Sequence, residues 1–178
     1  MYVEPPRYLH GLPNPGRCLV MGVLNVTPDS FSDGGHWREP DAALEHGRAL
    51  LAEGADLIDV GGESTRPGAT RPVVAEELDR VMPVVTELAA EGAVISVDTM
   101  RAEVADAALA AGAALINDVS GGLADPEILE VVAARGGAYA GMHWRAHADT
   151  MQQQATYDDV VDDVTRELSA RVEAALGA

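Results

Sequence analysis

Lysine does not occur in this 178-residue chain; all twelve of its basic residues are arginine. The absence excludes a Walker-type phosphate loop and Schiff-base chemistry, both of which depend on an amine side chain. Cysteine occurs once, as Cys18, so no internal disulfide can form and the chain reads as cytoplasmic. Long hydrophobic runs are missing too. Nothing is long and apolar enough to span a membrane, and the opening MYVEPPRYLHGLPNPG lacks the basic-then-apolar order of a signal peptide. Positive charge is scarce, twelve residues against 29 acidic ones for a net charge of −17. That argues against a nucleic-acid partner, whose binding rests on neutralised phosphates, and the surplus reads as a solvated surface. What is present is 47% hydrophobic content, enough for one domain with a core. Residues 1–17 read as a flexible lead-in rich in Pro and Gly, and residues 18–178 as that domain.

The most distinctive stretch is LVMGVLNVTPDSFSDGG, Leu19 to Gly35. Its apolar opening, Leu19 to Leu24, predicts a buried strand with Gly22 set into it. From Asn25 it becomes a loop of turn-forming residues, among them Thr27, Pro28, Asp29, Asp33, Gly34 and Gly35. Phe31 stands alone among these carboxylates and hydroxyls, an arrangement suited to a loop that closes over a small molecule.

Pro40 to Glu53 predicts a helix stopped by Gly54, and Asp56 to Val60 a strand running into GGESTRPGA. After Pro72, Val74, Leu78, Val81, Val85 and Leu88 form the buried stripe of a second helix, with a kink expected at Pro83. Ala93 to Val97 predicts a third strand ending at Asp98 and Thr99, followed by a helix to about Ala111. Ala113 to Ile116 predicts a fourth strand, and Asp125-Pro126 opens a helix closed by Gly136. Tyr139 to Met142 predicts a fifth strand. Thr156 with Asp159 resembles a capping box for a last helix carrying Val161, Val164, Leu168 and Val172. Strand, loop and helix thus repeat five times, with Gly54, Gly92, Gly112 and Gly136 as recurring stops. The alternation predicts an α/β fold, a parallel sheet with helices outside it.

All five strands are apolar until their carboxyl ends and then polar, at Asn25, Gly61-Gly62-Glu63, Asp98, Asn117 and His143. Parallel sheets and barrels build ligand sites at that end. Asp98 is suited to accept paired N–H bonds from a flat, guanidine-like heterocycle edge, and Asn117 to read an adjacent amide-type edge. Met142 is a polarisable group that suits the face of such a ring. Asn25 offers a neutral oxygen to a hard cation such as Mg²⁺. Ser64, Thr65 and Arg66 combine hydroxyls and a guanidinium that fit a diphosphate or carboxylate. His143 reads as a structural histidine in preference to a general base, and Trp37 and Trp144 as packing residues.

NVTPDSFSDGG, GGESTRPGA, SVDT and INDVSGG, in this order and at these spacings, resemble the motifs of the dihydropteroate synthase family, from about Leu19 onward. The resemblance implies a (β/α)8 TIM barrel that condenses 6-hydroxymethyl-7,8-dihydropterin diphosphate with p-aminobenzoate in folate biosynthesis. It also implies a homodimer and a sulfonamide target. By the same resemblance Asp98, Asn117 and Met142 hold the pterin, Asn25 holds Mg²⁺, and Ser64 and Thr65 lie in the diphosphate-substrate site. Loops carrying Phe31 and Arg66-Pro67 close the p-aminobenzoate pocket, Asp33 also binds substrate, and Asn25, Thr65, Arg66 and Asp98 form the catalytic set.

A barrel of this type has eight units and about 250 residues. The family's sixth-strand aspartate, seventh-strand lysine and eighth-strand arginine and histidine have no counterpart among the five units read here. The chain therefore reads as the N-terminal part of a synthase, truncated after its fifth helix. Two other readings share the pterin pocket: a catalytically silent pterin-binding fragment, and the pterin domain of a cobalamin-dependent methyltransferase. The complete diphosphate-handling motifs disfavour the latter.

Overall fold

The return from helix to strand uses one local chemistry throughout. Gly54, Gly92, Gly112 and Gly136 stand just past helix ends with φ of 109°, 90°, 103° and 71°, where an L side chain is strained. Backbone bonds close each end in Schellman fashion. Gly54 N–H reaches the Leu51 carbonyl at 3.1 Å and Ala55 N–H the Leu50 carbonyl at 3.0 Å, with matching pairs at 92–93, 112–113 and 136–137. The computed structural model describes residues 9, 11–27, 39–64 and 71–178.

In chain order the elements are β1 (Met21–Asn25), α1 (Glu39–Ala52), β2 (Leu57–Gly61), α2 (Val74–Ala90), β3 (Ile95–Asp98) and α3 (Ala102–Ala110). There follow β4 (Leu115–Asp118), α4 (Glu127–Arg135), β5 (Ala138–Gly141), a 3₁₀ turn (Met151–Gln154) that the sequence reading did not anticipate, and α5 (Val160–Gly177). The five strands pair in parallel in the sequential order β1-β2-β3-β4-β5. A doubly wound sheet reverses its strand order part-way; this one does not, and it is a partial (β/α) barrel.

Pleating sends alternate residues to opposite faces. On the outer face Leu24, Ile58, Val60, Ile95, Val97 and Ile116 are fully buried beneath Val81, Val85, Leu88 and Val104 of the helices. On the inner face Leu57, Asp59, Ser96, Leu115 and Asn117 are buried, whereas Met21 and Val23 of β1 are 40% and 55% exposed. The strand expected to be buried from Leu19 to Leu24 therefore alternates, because β1 ends the sheet and only its outer face meets a helix.

Pro83 sits inside α2 without ending it, on the exposed face where its missing N–H leaves a carbonyl open to water. Val81, Val85 and Leu88 of the predicted stripe are fully buried, but so is Glu77, which the stripe did not include. Asp125 does more than open α4. One carboxylate oxygen accepts from Glu127 N–H at 3.3 Å and the other from Ala102 N–H at 2.8 Å, so it caps α3 as well.

The last helix departs most from expectation. Its N-cap is Asp159, which accepts from Val161 and Asp162 N–H at 2.9 and 3.1 Å; Thr156 only lends its carbonyl to Arg145. Val161 and Val172 of the supposed buried face are exposed, and α5 buries Asp163 instead. Val164 and Leu168 of that face are half-buried, and Arg145, outside the helix, pairs with Glu167 at 2.6 Å and with Asp163 at 4.0 Å. The lead-in is tied down at its end, where Arg17 makes a bidentate pair with Asp56 at 2.6 and 2.8 Å.

Candidate active site

The register of the sheet aligns the strand ends. Asn25 pairs with Gly61, Gly61 with Asp98 and Asp98 with Asn117, so these residues form one row on the inner face at the carboxyl edge. Gly61 leaves a gap in that row. A side-chain carbon there would lie 3.6 Å from Asp98 Oδ2 and 3.8 Å from Asn25 Oδ1, so both oxygens border the same small space. Asn25 is exposed at the sheet edge, whereas Asp98 is half-buried and Asn117 is buried. Three of the residues singled out in the sequence thus stand together in one row.

One pleat deeper lies a residue that the sequence reading did not single out. Asp59 of β2 is buried; its Oδ1 accepts from Ser96 Oγ at 2.5 Å and its Oδ2 from Asn117 Nδ2 at 3.0 Å. The signal was present, since Asp59 interrupts the apolar run Leu57 to Val60. Burial pushes the Asp98 carboxyl up to about 7, and the negative charges of Asp59, Glu77, Glu63 and Asp118 push the same way. A cluster this acidic favours a ligand that brings N–H donors or positive charge.

Asp118 follows Asn117 but points to the outer face. It is buried and accepts from Ser120 N–H (2.8 Å), Ser120 Oγ (2.7 Å), Gly122 N–H (2.7 Å) and Tyr139 OH (2.8 Å). Burial and this bond to Asp118 hold the Tyr139 hydroxyl in its protonated form. In INDVSGG, then, Asn117 faces the site while Asp118 shapes the loop beneath it. The Asp118 carbonyl also accepts from Met142 N–H at 3.2 Å, which sets Met142 just past β5 with its side chain 40% exposed.

A second buried network surrounds Thr99, next to Asp98. Thr99 Oγ1 donates to Glu77 Oε1 at 2.6 Å, and Arg101 lies 3.3 Å from Glu77 Oε2 and 3.8 Å from Glu63. Arg71 pairs with Glu63 at 3.1 Å, and Arg101 donates to the Pro72 carbonyl. Burial raises the Glu77 carboxyl above the ordinary range, against the pull of Thr99 and Arg101. Glu77 was findable as well: it stands four residues before Val81 on the apolar face of α2, where a carboxylate needs partners.

Ser64 is half-buried and lines a cleft with Glu63, Met100, Trp144, His147 and Met151. Thr65, Arg66 and Pro67 lie outside the described residues, as do Phe31, Asp33 and Trp37. His143 Nε2 sits 2.8 Å from Glu167 Oε2, beside Arg145, which stacks 4.0 Å over the Tyr157 ring. Arg145 first and His143 second draw the Glu167 carboxyl down to about 2. Trp144 packs edge-on against His147, with ring centroids 4.9 Å apart. Among the described residues no helix is long and apolar enough to cross a membrane.

Known proteins share this arrangement. The chain is 54% identical over 160 residues to a dihydropteroate synthase of Mycobacterium leprae, covering 89% of this chain and 56% of that protein. The crystal structure of Yersinia pestis dihydropteroate synthase with a sulfonamide drug superposes with a TM-score of 0.84 at 45% identity, over 96% of this chain and 62% of that one. The Xanthomonas albilineans dihydropteroate synthase with 4-aminobenzoic acid gives 0.79 at 50% identity, over 89% and 56%. The chain thus spans about half the length of the dihydropteroate synthases it matches. The pterin binding enzyme family matches residues 21–178, and it is to this family that the chain belongs.

Proposed function

We propose that this chain carries the pterin-binding part of a cytoplasmic dihydropteroate synthase, which joins 6-hydroxymethyl-7,8-dihydropterin diphosphate to p-aminobenzoate. The observation that carries the reading is the row Asn25, Gly61, Asp98, Asn117 at the carboxyl edge of the sheet, acidic and lined with acceptors. A pterin presents adjacent N–H donors along its pyrimidine edge, which is what Asp98 and Asn117 suit. Met142 lies against the ring face. Ser64 and Thr65 serve the diphosphate, while Phe31, Asp33, Arg66 and Pro67 form the p-aminobenzoate pocket. In the reaction the bond from the pterin methylene to the diphosphate oxygen breaks and diphosphate leaves with the electron pair. The amine then attacks the methylene carbon and loses a proton. Asp98, as a carboxylate, stabilises the positive charge spread over the pterin between these events. The full-length enzyme works as a homodimer.

Asn25 fits the Mg²⁺ that this chemistry uses. Its amide oxygen is a hard, neutral donor on an exposed edge, beside the space that Gly61 leaves next to Asp98. Among the described residues no group of three His, Cys, Asp or Glu side chains could hold a metal. The ion would therefore share its coordination with waters and the substrate's own phosphates, as Mg²⁺ commonly does. When bound, it neutralises charge on the departing diphosphate.

Titration calorimetry with the dihydropterin diphosphate and Mg²⁺ tests the reading. Asp98→Asn removes a charge-assisted acceptor and is expected to weaken binding by about 10- to 100-fold. Diphosphate release that depends on p-aminobenzoate checks the reaction. Absence of pterin binding, or equal binding by Asp98→Asn, overturns the assignment.

A further inference from the structure

A carboxamide can read a ligand in two opposite ways, as a donor through its NH₂ or as an acceptor through its oxygen. Which of these Asn117 offers is decided by a neighbour. Asp59, a carboxylate, has only acceptors to give, and its Oδ2 lies 3.0 Å from Asn117 Nδ2. One N–H of the amide is thereby committed to Asp59, which fixes the sense of the amide and leaves Oδ1 free to accept from a ligand. Asp59 is itself held from below, where Ser96 Oγ donates to its Oδ1 at 2.5 Å. All three residues are buried and come from three adjacent strands, β2, β3 and β4, so none turns freely.

We infer that Asp59 is a positioning residue that sets the hydrogen-bonding sense of Asn117, so that the amide turns its Oδ1 to the ligand and selects an edge that brings an N–H donor to it. The inference rests on the pterin reading above and adds a source of selectivity to it. A pterin, with its 2-amino group, fits this edge. Lumazine, the same bicycle with a 2-oxo group, sets an oxygen against an oxygen. Without Asp59 the amide can turn over and offer its NH₂, which donates to the 2-oxo oxygen of lumazine.

The test is the ratio of dissociation constants for lumazine and pterin, by calorimetry, on the unsubstituted chain and on Asp59→Asn, Asp59→Ser and Ser96→Ala. The unsubstituted chain is expected to prefer pterin by on the order of 100-fold, since a site built for an N–H rejects the analogue lacking it. Asp59→Asn is nearly isosteric, and Asp59→Ser reaches the same end by truncation; each is expected to cut the preference about tenfold or more. Ser96→Ala keeps the Asp59–Asn117 bond and is expected to keep the preference. General loosening of the fold lowers both affinities together and leaves the ratio unchanged, so an unchanged ratio in either folded Asp59 variant overturns the inference. Failure of the unsubstituted chain to bind pterin at all overturns the pterin reading itself, and this inference with it.

Discussion

At the scale of single residues the site is governed by carboxylates set too close together. Asp98 has its carboxyl raised from 3.8 to about 7, by burial first and by Asp59 and Glu77 next. In the unfolded chain it ionises at its ordinary value, so between those limits the folded state holds the extra proton. Its contribution to stability is fully present below about pH 4 and is lost as pH rises through about 7. Asp98→Asn removes that loss, and its melting temperature is expected to exceed that of the unsubstituted chain by more at pH 8 than at pH 5. Equal gains at both pH values in thermal melts contradict this. Burial raises Glu77 as well, but its partners Thr99 and Arg101 depend on this fully buried side chain. Glu77→Leu strands Arg101 and is expected to destabilise by about 3–5 kcal/mol in urea melts, as breaking a buried pair does. Asn25, Asp98 and Asn117 were legible because polar residues ending apolar strands have few other uses. Asp59 and Glu77 were harder to see, because a buried carboxylate declares its role only through partners from distant parts of the chain, here Asn117 and Thr99.

At the scale of elements the glycine stops were readable to the residue, because a left-handed backbone angle is a local demand that a local residue must meet. Strand limits drifted by one or two positions, since a strand ends where its neighbour stops pairing and not where its own sequence changes. The last helix was misread more seriously. Its valines at 161 and 172 have helical spacing, but in the structure they face outward, while Val164 and Leu168 are half-buried and Glu167 and Asp163 meet Arg145. Periodicity names a face and cannot say what meets it. Asp159→Ala removes the acceptor for two amides of the first turn. The expected cost is about 0.5–2 kcal/mol, read as faster hydrogen exchange at Val161 and Asp162, with α2 unaffected.

At the scale of the whole molecule the stable part is the outer layer, where α1 to α4 cover one face of the sheet and the large aliphatic side chains are fully buried. Leu88 of α2, at 0% exposure and packed against Gly47 of α1, is central to that layer. Leu88→Ala is expected to cost about 2–5 kcal/mol in chemical denaturation, through lost burial and the cavity left behind. A loss below about 1 kcal/mol contradicts a close-packed layer there. Sequence alone determined the repeated strand-loop-helix unit, the parallel α/β class, the helix stops and the edge of the sheet that carries polar groups. Those features follow from backbone preferences and short-range periodicity, which each segment satisfies on its own. Only the tertiary structure decided that Asp59 passes beneath Asp98 to reach Asn117, and that Glu63, Arg71 and Arg101 gather around Glu77. Register and burial join residues tens of positions apart, and buried charges must find partners wherever the fold brings them, which no local pattern encodes.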